Sequence, residues 1–358
     1  MSDRGGSGTI LVGSRAVGKD QPVWIIAEAG VNHNGDPGLA SELIRAAATT
    51  GADAVKFQMF RAEDVVTATA PKARYQLETT DPGESQIQML KSLELPFNTY
   101  PQLIEEADAL GLTFLCTCYA ASEIDFLDEL GIPAFKFASA QIIELPLIRH
   151  AATTGKPVLL STGMATMNEI ADAIQTARNA GTDIALFQCT TDYPADPAEA
   201  NLRAIRTLAD EFDAPAGYSD HTVGDATALA AVACGASLLE KHLTLDKNMR
   251  GPDHSSSLEP AEFRDMVLRI RDVERALGDG RKQPTPSEIK NAKTMRRGLV
   301  AAQAIPAGTI ITVDLVATKR PPLGLPPNRI AEILGAEARV DISANAPLTL
   351  DLLDTRHG

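Results

Sequence analysis

Two kinds of hydrophobic pattern alternate along the chain. Short apolar and β-branched runs read Val23–Glu28, Ala54–Gln58, Thr113–Cys118, Ala134–Phe137, Val158–Ser161, Ile184–Cys189, Pro215–Ser219 and Ser237–His242. Near-continuous runs of this kind predict strands buried on both faces, as in a parallel sheet. Amphipathic stretches separate them, and most stop at a glycine: Gly51, Gly111, Gly131, Gly155, Gly181 and Gly235. Glycine just past a helix end takes the left-handed turn without steric cost, so each marks a helix stop before the next strand. Asp36-Pro37 and Asp196-Pro197 give the cap-then-proline signal of a helix start. Eight strand–helix units fit within residues 23–278. That is the count and length of a (β/α)8 TIM barrel, an α/β fold.

Three stretches stand outside the repeat. In residues 1–22, Ile10-Leu11-Val12 and Ala16-Val17 flank Gly13-Ser14-Arg15, which predicts a hairpin closing the barrel bottom. Residues 61–100 form an insertion between the second and third strands. Residues 279–297 are rich in Pro and basic groups and poor in large apolar ones, so they predict a linker. Beyond it Leu299–Ala304 alternates like a strand, Pro306-Ala307-Gly308 turns and Ile310-Ile311 resumes. Residues 298–358 are therefore expected to form a small C-terminal β-rich domain.

Composition narrows the function. Lys+Arg number 33 against 47 Asp+Glu, a net charge of −14 over 358 residues. A nucleic-acid binder that neutralises phosphates needs the opposite balance. No apolar run approaches the ~18 residues of a membrane span. The first twenty residues lack a signal-peptide pattern. Cys116, Cys118, Cys189 and Cys234 show no CxxC spacing, so reduced thiols in a cytoplasmic protein are expected.

The strand ends carry the chemistry. They read Glu28, Lys56 with Gln58, Thr117, Lys136 with Ser139, Ser161, Gln188 with Thr190, Ser219 with His221, and Glu240 with His242. The C-terminal rim is where a barrel places its active site. Lys56 and Lys136 come from different strands toward one mouth, and a buried lysine is costly unless it meets an anion. Together they predict a cationic receptor for the phosphate and carboxylate of a small anionic substrate. The alternative is that each lysine pairs with an acid such as Glu28 or Glu240. His221 and His242 end neighbouring strands ~4.8 Å apart, close enough to share one metal beside Glu28. Two histidines leave most positions open, which suits a divalent Lewis acid such as Mn²⁺ or Mg²⁺ better than structural zinc. His33 and His254 follow rim loops and are candidates to touch substrate, whereas His150 and His357 read as surface residues.

A family resemblance rests on the same residues. AEAGVNHNG (27–35), AVKFQ (54–58), KFAS (136–139), STGM (161–164), QCTTDYP (188–194), GYSDHT (217–222), EKHLTLD (240–246) and GPDHSSSLEP (251–260) resemble the sialic acid synthases, makers of N-acetylneuraminic, legionaminic and pseudaminic acids. RRGLVAAQAIPAGTIIT (296–312) and KRP (319–321) resemble that family's antifreeze-like (SAF, β-clip) domain. The resemblance implies a transferase-type synthase that condenses phosphoenolpyruvate with an N-acetylated aldose and releases phosphate. It implies that Lys56, Thr117, Lys136, Ser139, Ser161 and Ser219 hold phosphoenolpyruvate. It assigns a divalent metal, Mn²⁺ ahead of Mg²⁺ or Co²⁺, to His221 and His242. Glu28, Gln58, Tyr193 and Asp253 would face the sugar, and Arg320 would reach in from the partner of a domain-swapped homodimer. Glu28, Lys56 and Lys136 are the expected catalytic groups, Glu28 positioning or deprotonating the water or a sugar hydroxyl. Gln141 and Thr191 depart from the family pattern, which often has glutamate at the first position and sometimes asparagine at the second.

Three other functions compete. A Schiff-base aldolase would use Lys136 as nucleophile without metal. A non-enzymatic carbohydrate- or ice-binding protein leaves the polar rim unexplained. A phosphosugar-forming synthase needs a second basic phosphate site that the sequence does not display.

Overall fold

The computed structural model describes residues 8–354. The first residues of the expected hairpin, the last of the C-terminal domain, and His357 lie outside the described residues. The chain forms two compact units divided after Gly278.

In the first unit, β1 (Thr9–Val12) and β2 (Arg15–Gly18) pair as an antiparallel hairpin. Eight parallel strands follow: β3 (Trp24–Gly30), β4 (Ala54–Met59), β5 (Thr113–Cys118), β6 (Phe135–Phe137), β7 (Val158–Ser161), β8 (Ile184–Cys189), β9 (Ala216–Asp220) and β10 (Leu238–His242). Each pairs with the next, and β10 pairs with β3 to close the barrel. The helix stops behave as the sequence predicts; Gly51, for example, ends the first helix at φ 81°. Asp36 caps that helix by accepting from the Gly38 N–H.

Side-chain alternation along the strands organises everything above the barrel floor. Trp24, Ile26, Ala54, Leu115, Ala134, Leu159, Ala185, Phe187 and Leu238 pack inside the barrel against Ile10, Val12 and Val17 of the hairpin. The intervening residues, such as Ile25, Val55, Phe114 and Leu186, pack outward in the larger cluster shared with the helices. A period of two then dictates what stands higher up inside: Glu28 above Ile26, Lys56 and Gln58 above Ala54, Thr117 above Leu115, Lys136 above Ala134. At the floor, the Asp53 carboxylate accepts from Arg15 (2.7 Å), Arg271 (3.1 Å) and the Ile25 N–H (2.9 Å). It thereby ties hairpin, barrel and last barrel helix together.

The insertion carries three short helices, Ala62–Val65, Arg74–Thr79 and Gln86–Ser92. Lys72 clasps it: the buried amine donates to Thr80 Oγ1 (2.9 Å), the Asp81 carbonyl (2.7 Å) and Glu84 Oε1 (2.9 Å).

The second unit begins inside the expected linker, where Pro286–Met295 form an exposed helix capped by Thr285. The Thr-Pro cap signal and Glu288 at the third position explain a helix that low hydrophobicity obscured. Gly298–Ala301 (β11) pairs antiparallel with Val316–Lys319 (β12), and Glu337–Ala338 (β13) with Leu353–Asp354 (β14). Leu299, Ala301, Ile305, Ile311, Ile333 and Leu348 lie in its core. The expected strand Leu299–Ala304 is shorter than the alternation suggested, and Ile310 makes only a single bridge to Glu337. No helix among the described residues is long and apolar enough to cross a membrane.

The structure buries two histidines of the rim loops. His33 and His254 are fully buried, and His254 Nε2 joins the loop after β10 to Asn34 Oδ1 in the loop after β3 at 3.3 Å. His33 Nδ1 accepts from the Gly35 N–H at 3.0 Å, and His254 Nδ1 meets Thr244 Oγ1 at 2.6 Å. Burial pushes both imidazoles down to about 4. The folded protein thus holds them neutral while the unfolded chain takes up protons below about pH 6.5. Their contribution is present above that pH and fades as pH falls toward 4. Melting temperature is expected to drop across this window, and less steeply in His33→Asn, whose amide oxygen still accepts from Gly35. A flat profile in the wild-type protein contradicts the assignment.

Candidate active site

The upper interior of the barrel concentrates four buried charges. Lys56 Nζ lies 2.8 Å from Glu28 Oε2 and 3.7 Å from Glu240 Oε2, and donates to Thr117 Oγ1 at 3.1 Å. Lys136 Nζ donates to Ser161 Oγ at 2.6 Å and lies 3.7 Å from the same Glu240 oxygen. Glu240 Oε1 accepts from Ser219 Oγ at 3.0 Å. Two ammonium groups thus face two carboxylates. The cationic mouth expected from sequence is corrected here to a balanced one, and the pairing alternative is the arrangement observed. Glu240, which sequence reading treated only as a possible partner, sits between both lysines.

The balance is uneven. Burial opposes charge on Lys56, but Glu240 and Glu28 outweigh it and raise the pKa. Burial dominates at Lys136, whose pKa is lowered. Glu28 is raised by burial, with Glu240 adding to the effect against the pull of Lys56. Glu240 is also opposed by burial, yet Lys136 and Lys56 hold it below the ordinary carboxylate value. Burial thus shifts Glu28 and Lys136 toward their neutral forms, whereas the two lysines favour the charged form of Glu240.

His221 and His242 stand side by side at the rim, ring centroids 5.6 Å apart. His221 Nδ1 bonds the Thr190 carbonyl at 2.7 Å, which leaves the Nε2 lone pair toward the mouth, 3.4 Å from Ser219 Oγ. His242 Nδ1 is buried without a hydrogen-bond partner among the described residues, 3.8 Å from Asp253 Oδ2. Burial lowers both pKa values, so both rings are neutral. Two neutral imidazoles, one oriented by a carbonyl and one with an unsatisfied buried nitrogen, fit a divalent cation. Among the described residues no third His, Cys, Asp or Glu completes a ready-made ligand cluster, which leaves positions for water or substrate oxygen.

Around this pair the remaining predicted residues gather. Tyr193 lies 4.1 Å from the His221 ring and edge-on to His242 at 5.7 Å. Gln58 Nε2 donates to Glu28 Oε1 at 3.1 Å. Asp253 is buried, and burial together with Glu28 pushes its carboxyl up to about 7. Ser139 Oγ accepts from the Gly163 N–H at 3.1 Å. Gly30, at φ 53°, leaves the space between these groups open: a Cβ there would meet Glu28 Oε1 at 3.2 Å and His242 Cε1 at 3.5 Å. Arg320 lies in the second unit, exposed and just past β12.

Several residues depart from the sequence reading. Gln188 does not face the mouth; its amide donates to the Ala200 carbonyl at 3.1 Å. Alternation from Ala185 and Phe187 puts Cys189 inside instead, 3.0 Å from Ser139 Oγ. Thr190 turns its hydroxyl to the Glu199 carbonyl. Tyr75, from the insertion, lies 5.0 Å from Tyr193 and extends the aromatic wall. No periodic signal marks it, because the insertion follows neither strand nor barrel-helix spacing. Gln141 is buried, with its Nε2 donating to the Cys118 carbonyl at 2.7 Å and its Oε1 accepting from the Ala138 N–H at 2.9 Å. It holds the turn after β6.

Gln141 needs a donor and an acceptor together, which an ionised carboxylate cannot supply. Gln141→Glu is expected to lower stability by about 1–3 kcal/mol through the orphaned Cys118 carbonyl. Turnover should change much less than in Glu28→Gln. Urea unfolding and steady-state kinetics on the two variants check this, and a larger kinetic loss from the Gln141 change would place the carboxylate role at the wrong residue.

Comparison with known proteins gives the family. Residues 43–282 match the NeuB family and residues 296–354 the SAF domain. The chain is 46% identical over 87% of its length to N,N'-diacetyllegionaminic acid synthase of Campylobacter jejuni, covering 94% of that protein. It is 40% identical to the enzyme of the same name from Legionella pneumophila, covering 96% of this chain and 98% of that one. The crystal structure of N-acetylneuraminic acid synthetase from Leptospira borgpetersenii, in complex with citrate, superposes with a TM-score of 0.73 at 33% identity, over 80% of this chain and 95% of that one. A barrel with this rim, this extent of identity and a C-terminal SAF domain leave one assignment: the chain belongs to the NeuB family of sialic acid synthases and is an enzyme of the synthase class.

Proposed function

We propose that the protein condenses phosphoenolpyruvate with an N-acetylated aldose to give a nine-carbon 2-keto sugar acid, releasing phosphate by C–O cleavage. A 2,4-diacetamido trideoxyhexose is the first candidate, ahead of N-acetylmannosamine, because the relatives at 46% and 40% identity are named for diacetyllegionaminic acid. One observation carries the reading: two neutral imidazoles and a cluster of two lysines and two glutamates share one barrel mouth.

Lys56, Lys136, Thr117, Ser139, Ser161 and Ser219 supply donors for the phosphate and carboxylate of phosphoenolpyruvate, already oriented before substrate arrives. The lysines then exchange carboxylate partners for substrate oxygens. A divalent metal at His221 and His242, Mn²⁺ first, supplies Lewis-acid polarisation of the aldehyde oxygen when bound. Gln58, Tyr193 and Asp253 hold the sugar beside the enol, with Arg320 of the partner subunit closing over its acetamido group in a swapped homodimer. C3 of phosphoenolpyruvate forms the new bond to the aldehyde carbon. Water adds at C2, the C2–O bond to phosphate breaks, and the keto group forms; of the two protons of the water, one ends on the former aldehyde oxygen and the other on the departing phosphate. Glu28, whose pKa burial raises, takes the proton from the water.

Burial, which lowers the pKa of Lys136, favours a second reading, in which this lysine forms a Schiff base. Phosphate release separates the two. It is expected from phosphoenolpyruvate only when an N-acetylated aldose and a divalent metal are both present, with the diacetamido sugar fastest in a panel. Full activity in excess chelator contradicts the metal role, and borohydride trapping at Lys136 selects the Schiff base.

Shared sites have their own test. Mixing inactive His242→Ala with inactive Arg320→Ala should restore activity after subunit exchange, because one barrel of the mixed dimer then has both groups intact. No recovery in a confirmed mixed dimer places Arg320 in its own subunit's site or outside catalysis.

A further inference from the structure

Directly behind the two histidines, on the outer face of the barrel, lies a fully buried ion pair. Asp220 and Lys241 are each 0% exposed. Alternation turns them outward, Asp220 between Ser219 and His221, Lys241 between Glu240 and His242. The β9–β10 register places them opposite one another, with Nζ 2.9 Å from Asp220 Oδ2. Outward-facing positions on the other strands are mostly apolar, as at Ile25, Phe57, Phe114, Phe135, Leu160 and Leu186, with the neutral Gln188 an exception. A buried charge pair at this one seam demands a reason.

Its hydrogen bonds converge on the residues that flank His221. Asp220 Oδ1 accepts from the Thr222 N–H (2.9 Å) and Thr222 Oγ1 (2.8 Å). Asp220 Oδ2 also accepts from Thr227 Oγ1 (3.0 Å), in the first turn of helix Ala226–Ala233. Lys241 donates a second bond to the Thr222 carbonyl (2.5 Å). The backbone on both sides of His221 is thus fixed to a residue adjacent to His242. A buried ion pair adds little net stability over well-packed apolar residues of similar volume, so holding the sheet together does not account for it. Such a pair does, however, fix geometry, because its oxygens and ammonium hydrogens accept only one arrangement.

We propose that Asp220 and Lys241, with Thr222 and Thr227, are positioning residues that set the spacing and aim of the His221 and His242 imidazoles for a divalent cation. The inference rests on the reading of those histidines as metal ligands. None of the four touches the substrates; they act through the backbone of the two strands.

The test compares the wild-type full-length chain, His242→Ala, and the double variant Asp220→Leu/Lys241→Met. Mn²⁺ and phosphoenolpyruvate affinities are read separately by calorimetry, alongside melting temperature. The double variant is expected to bind Mn²⁺ on the order of 10–100-fold more weakly, as when groups supporting a metal ligand are lost. Its phosphoenolpyruvate affinity, set mainly by Lys56, Thr117, Lys136 and Ser161 on other strands, should change much less. Wild-type Mn²⁺ affinity in a folded double variant overturns the positioning role while the histidine site stands. Equal Mn²⁺ binding by the wild-type protein and His242→Ala overturns the metal site and this inference with it. If the double variant does not fold, Thr227→Val removes one bond to Asp220 and replaces the full test. A several-fold loss of Mn²⁺ affinity in it supports the proposal, and no loss overturns it.

Discussion

Everything at the mouth of this barrel depends on the arrangement of Lys56, Lys136, Glu28 and Glu240. Four charges removed from water are tolerable only because they face one another and hydroxyls fill their remaining hydrogen-bond sites. Thr117, Ser161 and Ser219 do that filling. The same neutrality creates the conditions for binding. Under the proposed function an entering trianion meets lysines already oriented but paired with carboxylates, so its binding would be an exchange of partners. The acid with the raised pKa, Glu28, is the one placed to yield.

The fold was legible because its signal is periodic. Eight apolar runs and the glycine stops between them were enough to place every barrel strand to within two residues at either end. The same alternation shows why the rim chemistry was legible on most strands and not on β8. Counting inward from Ala185 and Phe187 reaches Cys189, whereas reading only for polar character selected Gln188. Parity outranks polarity at a strand end, since a side chain's face is fixed by the pleat and not by its chemistry.

What stayed hidden is what sequence separation conceals. The Lys56–Glu240 and Lys136–Glu240 approaches join strands distant along the chain, and whether a buried lysine awaits a ligand or already has a partner is a matter of a few ångströms. Tyr75 reaches the site from an insertion folded on Lys72, outside any repeat. His33 and His254 read as candidates to touch substrate because they follow rim loops; here Gly35 and Thr244 hydrogen-bond their buried rings. Gln141 looked like a lost carboxylate and proves to be a turn support whose amide is used at both ends.

The exchange of partners can be read as protons. At pH 8 free phosphoenolpyruvate has no ionisable proton left to release, so any proton change on binding belongs to the protein. Titration of phosphoenolpyruvate into the protein in two buffers of different ionisation enthalpy measures that change. New negative charge raises the pKa values of both Glu28 and Lys136. The account predicts net uptake of a fraction of a proton, reduced in Glu28→Gln. Binding with no uptake, or with release, contradicts a balanced cluster that rearranges around the substrate.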